Sequence, residues 1–432
     1  MKSIFIRKKS LSNSNKKQEK KPQYAFCKTT LSYIFLVFFC FQLSAQNDTR
    51  QYLTGNWGGA RDSLNSSGIT INPRITFFNQ NFVAGSGDKE TVWNGKAQLD
   101  FKANGKKIGL ANWTLVTKGE YNFGNALSGA GYVLIPKNTA ITFPGFNSGD
   151  RFDISSLYLV WKWKPGNQVL MGKINMVDLA AGTKYSGGAG LDAFWSLGFA
   201  APVSGITPPY LFGSIANISG EKLKWTFMVY DPVSAVGNSG LESPFSEGVV
   251  LSVSPSWNVK IGNHKGSHSV RFAYSSQNGD NLYNLGDITP PVDVPLSEKN
   301  NRFYGSYSFN HPIQVFDDKR SWGVWGQFSV SDGNPNPIDY SFLLGLGGNS
   351  FLKNRSQDKW GIALYNYSLS SILDDIGENM DTPLCNELGI EAFYQYWANN
   401  WFSIGGNAQI VNPILKSADT AIFLGLRSSI KL

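Results

Sequence analysis

From Ala421 to Leu432 the chain alternates with a period of two. Ile422, Leu424, Leu426, Ile430 and Leu432 are large aliphatics broken only by Ser428, and between them lie Ala421, Phe423, Gly425, Arg427, Ser429 and Lys431. Such a row is a strand with one apolar face. The pattern recurs upstream. Leu157, Leu159, Trp161 and Trp163 alternate with Tyr158, Val160 and Lys162, and Lys164-Pro165-Gly166-Asn167 then turns into Gln168–Ile174, which predicts a hairpin. Segments around Leu223–Val229, Val270–Tyr274, Trp322–Val330 and Phe402–Ile410 read the same way, often with Trp or Tyr near their ends. Segments of about ten residues with alternating polarity mark a transmembrane β-barrel, although a soluble sandwich alternates too. Long polar or Pro-rich connections are expected over 178–218, 278–301 and 332–358.

The N-terminal third of the first hundred residues is different. Lys2, Arg7, Lys8, Lys9, Lys16, Lys17, Lys20, Lys21 and Lys28 precede an apolar run over 31–43, and Ser44-Ala45 then gives way to polar Gln46. The run is too short to span a bilayer of about 30 Å and has the flanks of a secretory signal, so cleavage is expected after Ala45. Bulky Val37, Phe38 and Phe39 ahead of Cys40 disfavour a lipoprotein signal.

The leader also explains the charge. The chain has 39 basic and 31 acidic residues, and nine of the cations but only Glu19 of the acids precede Gln46, which leaves 30 of each. The formal +8 therefore gives no support to nucleic-acid binding. Of the three cysteines only Cys385 follows the leader, so no internal disulfide is expected. No linker or charge run divides 71–432, which reads as one all-β, transmembrane antiparallel barrel preceded by a loop and short helix over 46–70. Within that N-terminal stretch, Ala60 to Ser66 is predicted helical, with Gly68 as its stop.

Leu53-Thr54-Gly55-Asn56-Trp57-Gly58-Gly59 with Arg61, Leu64, Gly68 and Ile69 resembles the opening motif of the carbohydrate-selective porin family. Later stretches agree in order. They are Gly172-Lys173-Ile174 with Asp178-Leu179, Asp332 to Pro337 with Gly345 to Gly348, Glu391 to Tyr394, Asn412-Pro413, and Leu424 to Arg427. The resemblance implies an outer-membrane barrel of 16 strands through which sugars diffuse past a constriction. Two departures stand out: the chain ends on Leu432 rather than Phe, and Lys184 is the only cation from Asp178 to Ala201.

A sugar channel needs hydrogen-bonding groups matched to hydroxyls and flat rings against C–H faces. Strand parity turns Glu120, Lys173, Glu391, Arg427 and Lys431 toward the lumen. With Asp178, Lys184 and the loop aromatic Trp195 they form the expected pore lining, and Gly55, Trp57, Gly58, Gly59 and Arg61 form the entrance motif. The bland alternative is that these charges only solvate a wet interior. Expected partners are small saccharides and outer-membrane lipid, with a homo-oligomer open. No cofactor, metal or catalytic residue is expected. The Asp332 to Asp339 run lacks EF-hand spacing, and Ser186–Gly190 lacks the lysine of a phosphate loop. Ser267 and His268, the pair a membrane hydrolase would need, are adjacent and so point to opposite faces. The competing reading is a secreted, glycan-binding β-sandwich without transport.

Overall fold

The computed structural model describes residues 50–127, 129–144, 151–200, 205–287, 297–318 and 320–432; the expected leader lies outside them. The chain folds into strands β1 (Ile69–Ala84), β2 (Glu90–Gly105), β3 (Leu110–Gly124), β4 (Arg151–Lys164), β5 (Asn167–Asn175) and β6 (Tyr210–Ser219). Then come β7 (Lys224–Tyr230), β8 (Val250–Ile261), β9 (His264–Ser275), β10 (Gly279–Asp280), β11 (Glu298–Lys299) and β12 (Arg302–Val315). The last six are β13 (Ser321–Ser331), β14 (Ile338–Asn349), β15 (Lys359–Leu369), β16 (Glu387–Trp397), β17 (Phe402–Asn412) and β18 (Ala421–Lys431).

All but β10 and β11 form one closed barrel, in which β1 pairs antiparallel with β18 in the register Arg74↔Lys431, Phe78↔Arg427 and Phe82↔Phe423. Closure removes both sheet edges, so the strands pair with a neighbour on each side all round the barrel and no open edge meets the hydrocarbon layer. Phe272, Phe328, Leu424 and Leu426 are exposed on the outside, as a lipid-facing surface requires. Tryptophans gather at the rim with the tight turns. Trp113 stacks on Trp161 at 6.0 Å, and Trp322 lies 5.6 Å from Trp360. That belt marks the inner interface, because indoles settle at headgroup depth and short turns belong to the periplasmic rim.

The N-terminal helix α1 (Ala60–Ser66) forms as predicted, followed by Gly68 at φ 85°. It sits at the inner rim beside the barrel seam. The Arg61 guanidinium lies 3.7 Å from the ring centroid of Tyr52 and 4.1 Å from that of Trp57, and Nη2 donates to the Leu432 carbonyl at 2.8 Å. Leu53 N also donates to Lys431 O at 2.8 Å. The motif Gly55, Trp57, Gly58, Gly59 and Arg61 therefore braces the junction of first and last strands. Trp57, Gly58 and Gly59 make a 3-10 turn in which all three have positive φ, the geometry that calls for the two glycines.

Of the expected connections one is corrected, one is trimmed at its ends and one runs outside the barrel as expected. The 332–358 stretch contains β14, paired with β13 and β15. Tyr340, Phe342, Leu344 and Leu346 face outward and alternate with inward Ser341, Gly345 and Gly347; the row is broken only by Leu343, buried in a lumenal core, and Pro335, Pro337 and the glycines around it disguised it as a loop. The 178–218 stretch starts inside helix α3 (Met176–Ala181) and ends inside β6; α2 (Thr139–Thr142) lies in the preceding long connection. In 278–301, β10 and β11 pair only with each other, outside the barrel.

Two outer connections, described over 129–144 and 176–200, turn into the lumen and hold each other. Thr139 N donates to Trp195 O at 2.7 Å, and Leu197 N to Pro136 O at 3.0 Å. Phe194 and Phe199 enter a dry aromatic cluster with Trp325, Tyr365, Tyr367 and Phe393. Phe194 meets the Phe393 ring edge-on at 4.8 Å. Each such fully buried ring is worth about 1.5–3 kcal/mol relative to exposure. The cluster fills the lumen beside β13 to β16, and a polar chamber, the upper part of the path, lies beside β1 to β6.

Candidate functional site

Strand register assembles the polar side of that path. β2 and β3 place Lys96 opposite Asn122, Gln98 opposite Glu120 and Asp100 opposite Lys118. Glu120 is the hub. It accepts from Lys96 Nζ at 2.9 Å, Gln98 Nε2 at 3.0 Å, Tyr210 OH at 2.9 Å and Asn175 Nδ2 at 3.2 Å. Asn175 has a second task as N-cap of α3, accepting from Val177 N at 2.9 Å, and so fixes the helix that carries Asp178. Asp178 then pairs with Lys118 at 2.7 Å, while Glu120 and Asp100 stand 3.6 and 3.9 Å from the same ammonium.

These groups line a chamber of about 240 Å³ together with Phe143 and Tyr210 on one side and Arg74, Asp192 and Lys359 on the other. The Arg74 guanidinium forks onto Asp192 at 2.7 and 3.1 Å. Burial alone would raise the Asp192 pKa, yet Arg74 beside it holds the carboxyl below the usual carboxylate range. Asp192 and Lys359 also border a second chamber of about 240 Å³ and a third of about 480 Å³ at the inner mouth. They stand where the three meet.

The residues singled out in the sequence divide into two groups. Glu120 and Asp178 belong to the chamber, Lys184 lines the second cavity with its ammonium 4.9 Å from the Tyr185 ring, and Lys431 lines the inner mouth. The others are occupied elsewhere. Lys173 pairs with Asp153 at 2.8 Å and donates to Asn238 O at 2.7 Å, tying the wall to the outer connection 231–249. Trp195, expected as a sugar platform, is only 3% exposed and packs edge-on against Phe78 at 5.2 Å. Glu391 accepts from Trp195 N at 2.5 Å, Ser196 N at 2.9 Å and Asn407 Nδ2 at 2.6 Å. Arg427 donates twice to Gln395 Oε1, at 2.9 and 2.7 Å, and to Ala193 O at 3.2 Å. Glu391 and Arg427 are anchors of the inward loop, and Trp195 is part of what they hold.

Lys96, Gln98, Asp100, Lys118, Arg74 and Lys359 were not singled out. Lys96, Gln98 and Asp100 do alternate in β2, but Gly95 and Ala97 interrupt the outward row of Trp93, Leu99 and Phe101 and so hid the lipid face. Ser267 and His268 lie on opposite faces of β9, and His268 Nδ1 is 2.6 Å from Tyr307 OH. Among the described residues no group of three or more His, Cys, Asp or Glu could hold a metal.

A closed barrel of 16 antiparallel strands with an apolar exterior and a narrowed, charged lumen is an outer-membrane porin. Residues 89–432 match the carbohydrate-selective porin, OprB family, and the chain belongs to it. It is a bacterial outer-membrane channel for the passive diffusion of saccharides. The fold is similar to the high-pH structure of Pseudomonas putida OprB, at 15% identity and TM-score 0.75, over 89% of this chain and 99% of that one. The low-pH structure of the same protein aligns at 12% identity and TM-score 0.54, over 89% of this chain and 100% of that one. The outer membrane channel DcaP of Acinetobacter baumannii aligns at 11% identity and TM-score 0.52, over 84% and 97%. No curated protein matches by sequence.

Proposed function

We propose that small neutral saccharides of the glucose type cross beside Glu120, touching Asp178, Lys118, Asp100 and Gln98 by hydrogen bonds and Phe143 by its ring. The observation that carries this reading is charge balance. Arg74, Lys96, Lys118 and Lys359 share the chamber with Asp100, Glu120, Asp178 and Asp192, four cations against four carboxylates. Donors and acceptors in equal measure suit hydroxyls, and their mutual pairing keeps each contact weak enough for release.

The path lies within one chain, so a homo-oligomer would multiply it rather than complete it. The channel turns over no substrate, and the leader to Ala45 is removed on export, which the N-terminal sequence of membrane-extracted protein checks. The central test is single-channel conductance in a planar bilayer with glucose and maltose titrated in turn. Saturable block by one sugar, weakened in Asp178→Asn, supports the reading. Folded protein that conducts without sugar block in either titration removes it.

A further inference from the structure

The inner mouth lacks the balance of the chamber above it. Lys359 and Lys431 line it against a single acid, Asp192, and Arg74 and Arg427 face inward on β1 and β18 beside it. The acids that face them from neighbouring elements are already spent. Asp192 is forked onto Arg74, and Glu391 gives its oxygens to two backbone N–H groups and Asn407. Asp358 at the rim pairs with Arg355 at 2.8 Å.

The partners of the remaining cations are neutral. Arg427 bonds Gln395 and a backbone carbonyl, while Lys431 sits 3.9 Å from the Trp397 ring centroid and donates to Asn400 O at 3.2 Å. Lys359 is exposed, and its side chain makes no hydrogen bond or ion pair among the described residues. It borders all three chambers, so a solute moving between them meets its ammonium. The inner mouth, at about 480 Å³, has room for a monosaccharide with its water.

We infer that the inner mouth is an anion site, in which Lys359 and Lys431 hold the oxyanion of an acidic saccharide, a carboxylate or a phosphate, on its way to the periplasm. The inference rests on the path proposed above and extends its substrate class from neutral to acidic sugars. A weakly held oxyanion in a wet mouth is screened but not abolished by salt, and Lys as a mobile point charge suits capture followed by release.

The test is bilayer current in a KCl gradient, followed by titration with glucose, glucuronate and glucose 6-phosphate, on wild type, Lys359→Gln and Lys359→Gln/Lys431→Gln. Wild type is expected to pass chloride better than potassium and to be half-blocked by one of the acidic sugars at about fivefold lower concentration than by glucose, the scale of one screened charge contact. The lower half-block concentration tells carboxylate from phosphate. The double variant should lose both preferences. Lys359→Gln removes an exposed, unbonded side chain, so it tests the site even where the double variant fails to insert. Equal or cation-favouring permeability in wild type, or selectivity and block ratios unchanged in both variants, overturns the inference. Loss of glucose block with anion preference intact counts against the chamber alone.

Discussion

Glu391 on β16 grips the backbone of Trp195, which lies 196 residues earlier, through an N–H···Oε1 bond of 2.5 Å. The neighbouring Ser196 N–H donates to Oε2 at 2.9 Å. A carboxylate in the wall thus fixes how far the inward loop projects. Each charge-assisted bond is worth about 1.5–3 kcal/mol. Glu391→Ala should therefore cost about 3 kcal/mol or more and raise single-channel conductance and its noise. Glu391→Gln keeps one acceptor and should fall between the two. Conductance at the wild-type level in Glu391→Ala would show that the loop is held without it.

Gly425 on β18 tests the same loop from the other side. A Cβ there would come within 2.6 Å of the Trp195 ring. Gly425→Leu should displace the indole at a cost of about 1–3 kcal/mol. Quenching of tryptophan fluorescence by a water-soluble quencher should increase in the variant.

Asp178 and Lys118 meet at 2.7 Å on the chamber wall. Asp178→Asn removes the charge and keeps an acceptor, so sugar block should weaken by about tenfold or less, a change of about 1.4 kcal/mol. Asp178→Ala should weaken it further, and the half-block concentration of glucose measures both.

Asp192 gives a pH prediction. Burial opposes its ionisation, but Arg74 outweighs burial and depresses the folded pKa below the unfolded value of about 3.9. The stabilisation is therefore complete above that unfolded value and is lost as pH falls through the folded one. Conductance should be steady from pH 7 to about 4 as far as this pair is concerned. Asp192→Asn should abolish the clamp at every pH, which a pH series of the variant beside wild type would reveal.

Arg61 predicts stability without a change in selectivity. Its stacking between Tyr52 and Trp57 and its bond to Leu432 O all lie at the seam. Arg61→Ala should lower the temperature of the heat-induced mobility shift on gels while leaving the half-block concentration of glucose unchanged. Arg61→Lys, lacking the planar fork, should rescue only in part.

Strand parity made the wall legible. Phe423, Gly425, Arg427 and Ser429 are buried on the inside and Leu424 and Leu426 exposed on the outside, as the period-two row required. Glu120 was legible for the same reason. What parity could not supply is the path of the loops: Arg74 and Asp192 are 118 residues apart, and nothing local to either names the other. The same gap explains Trp195. A loop tryptophan reads as a platform until its neighbours are known, and Phe78 and Gly425 come from strands at opposite ends of the sequence. β14 was missed because Pro335, Pro337 and three glycines make its surroundings read as a loop, and because inward Leu343, which packs against a core built by a loop, interrupts its row.

The aromatic cluster around Phe194 and Phe199 separates two properties that barrels usually join. The number of strands fixes the girth of the cylinder, yet the room left inside it depends on the inward loop described over 176–200 and the few wall residues that grip it. Exchanging that loop would change which solutes are admitted while the lipid-facing surface, and the folding problem it poses, stayed the same.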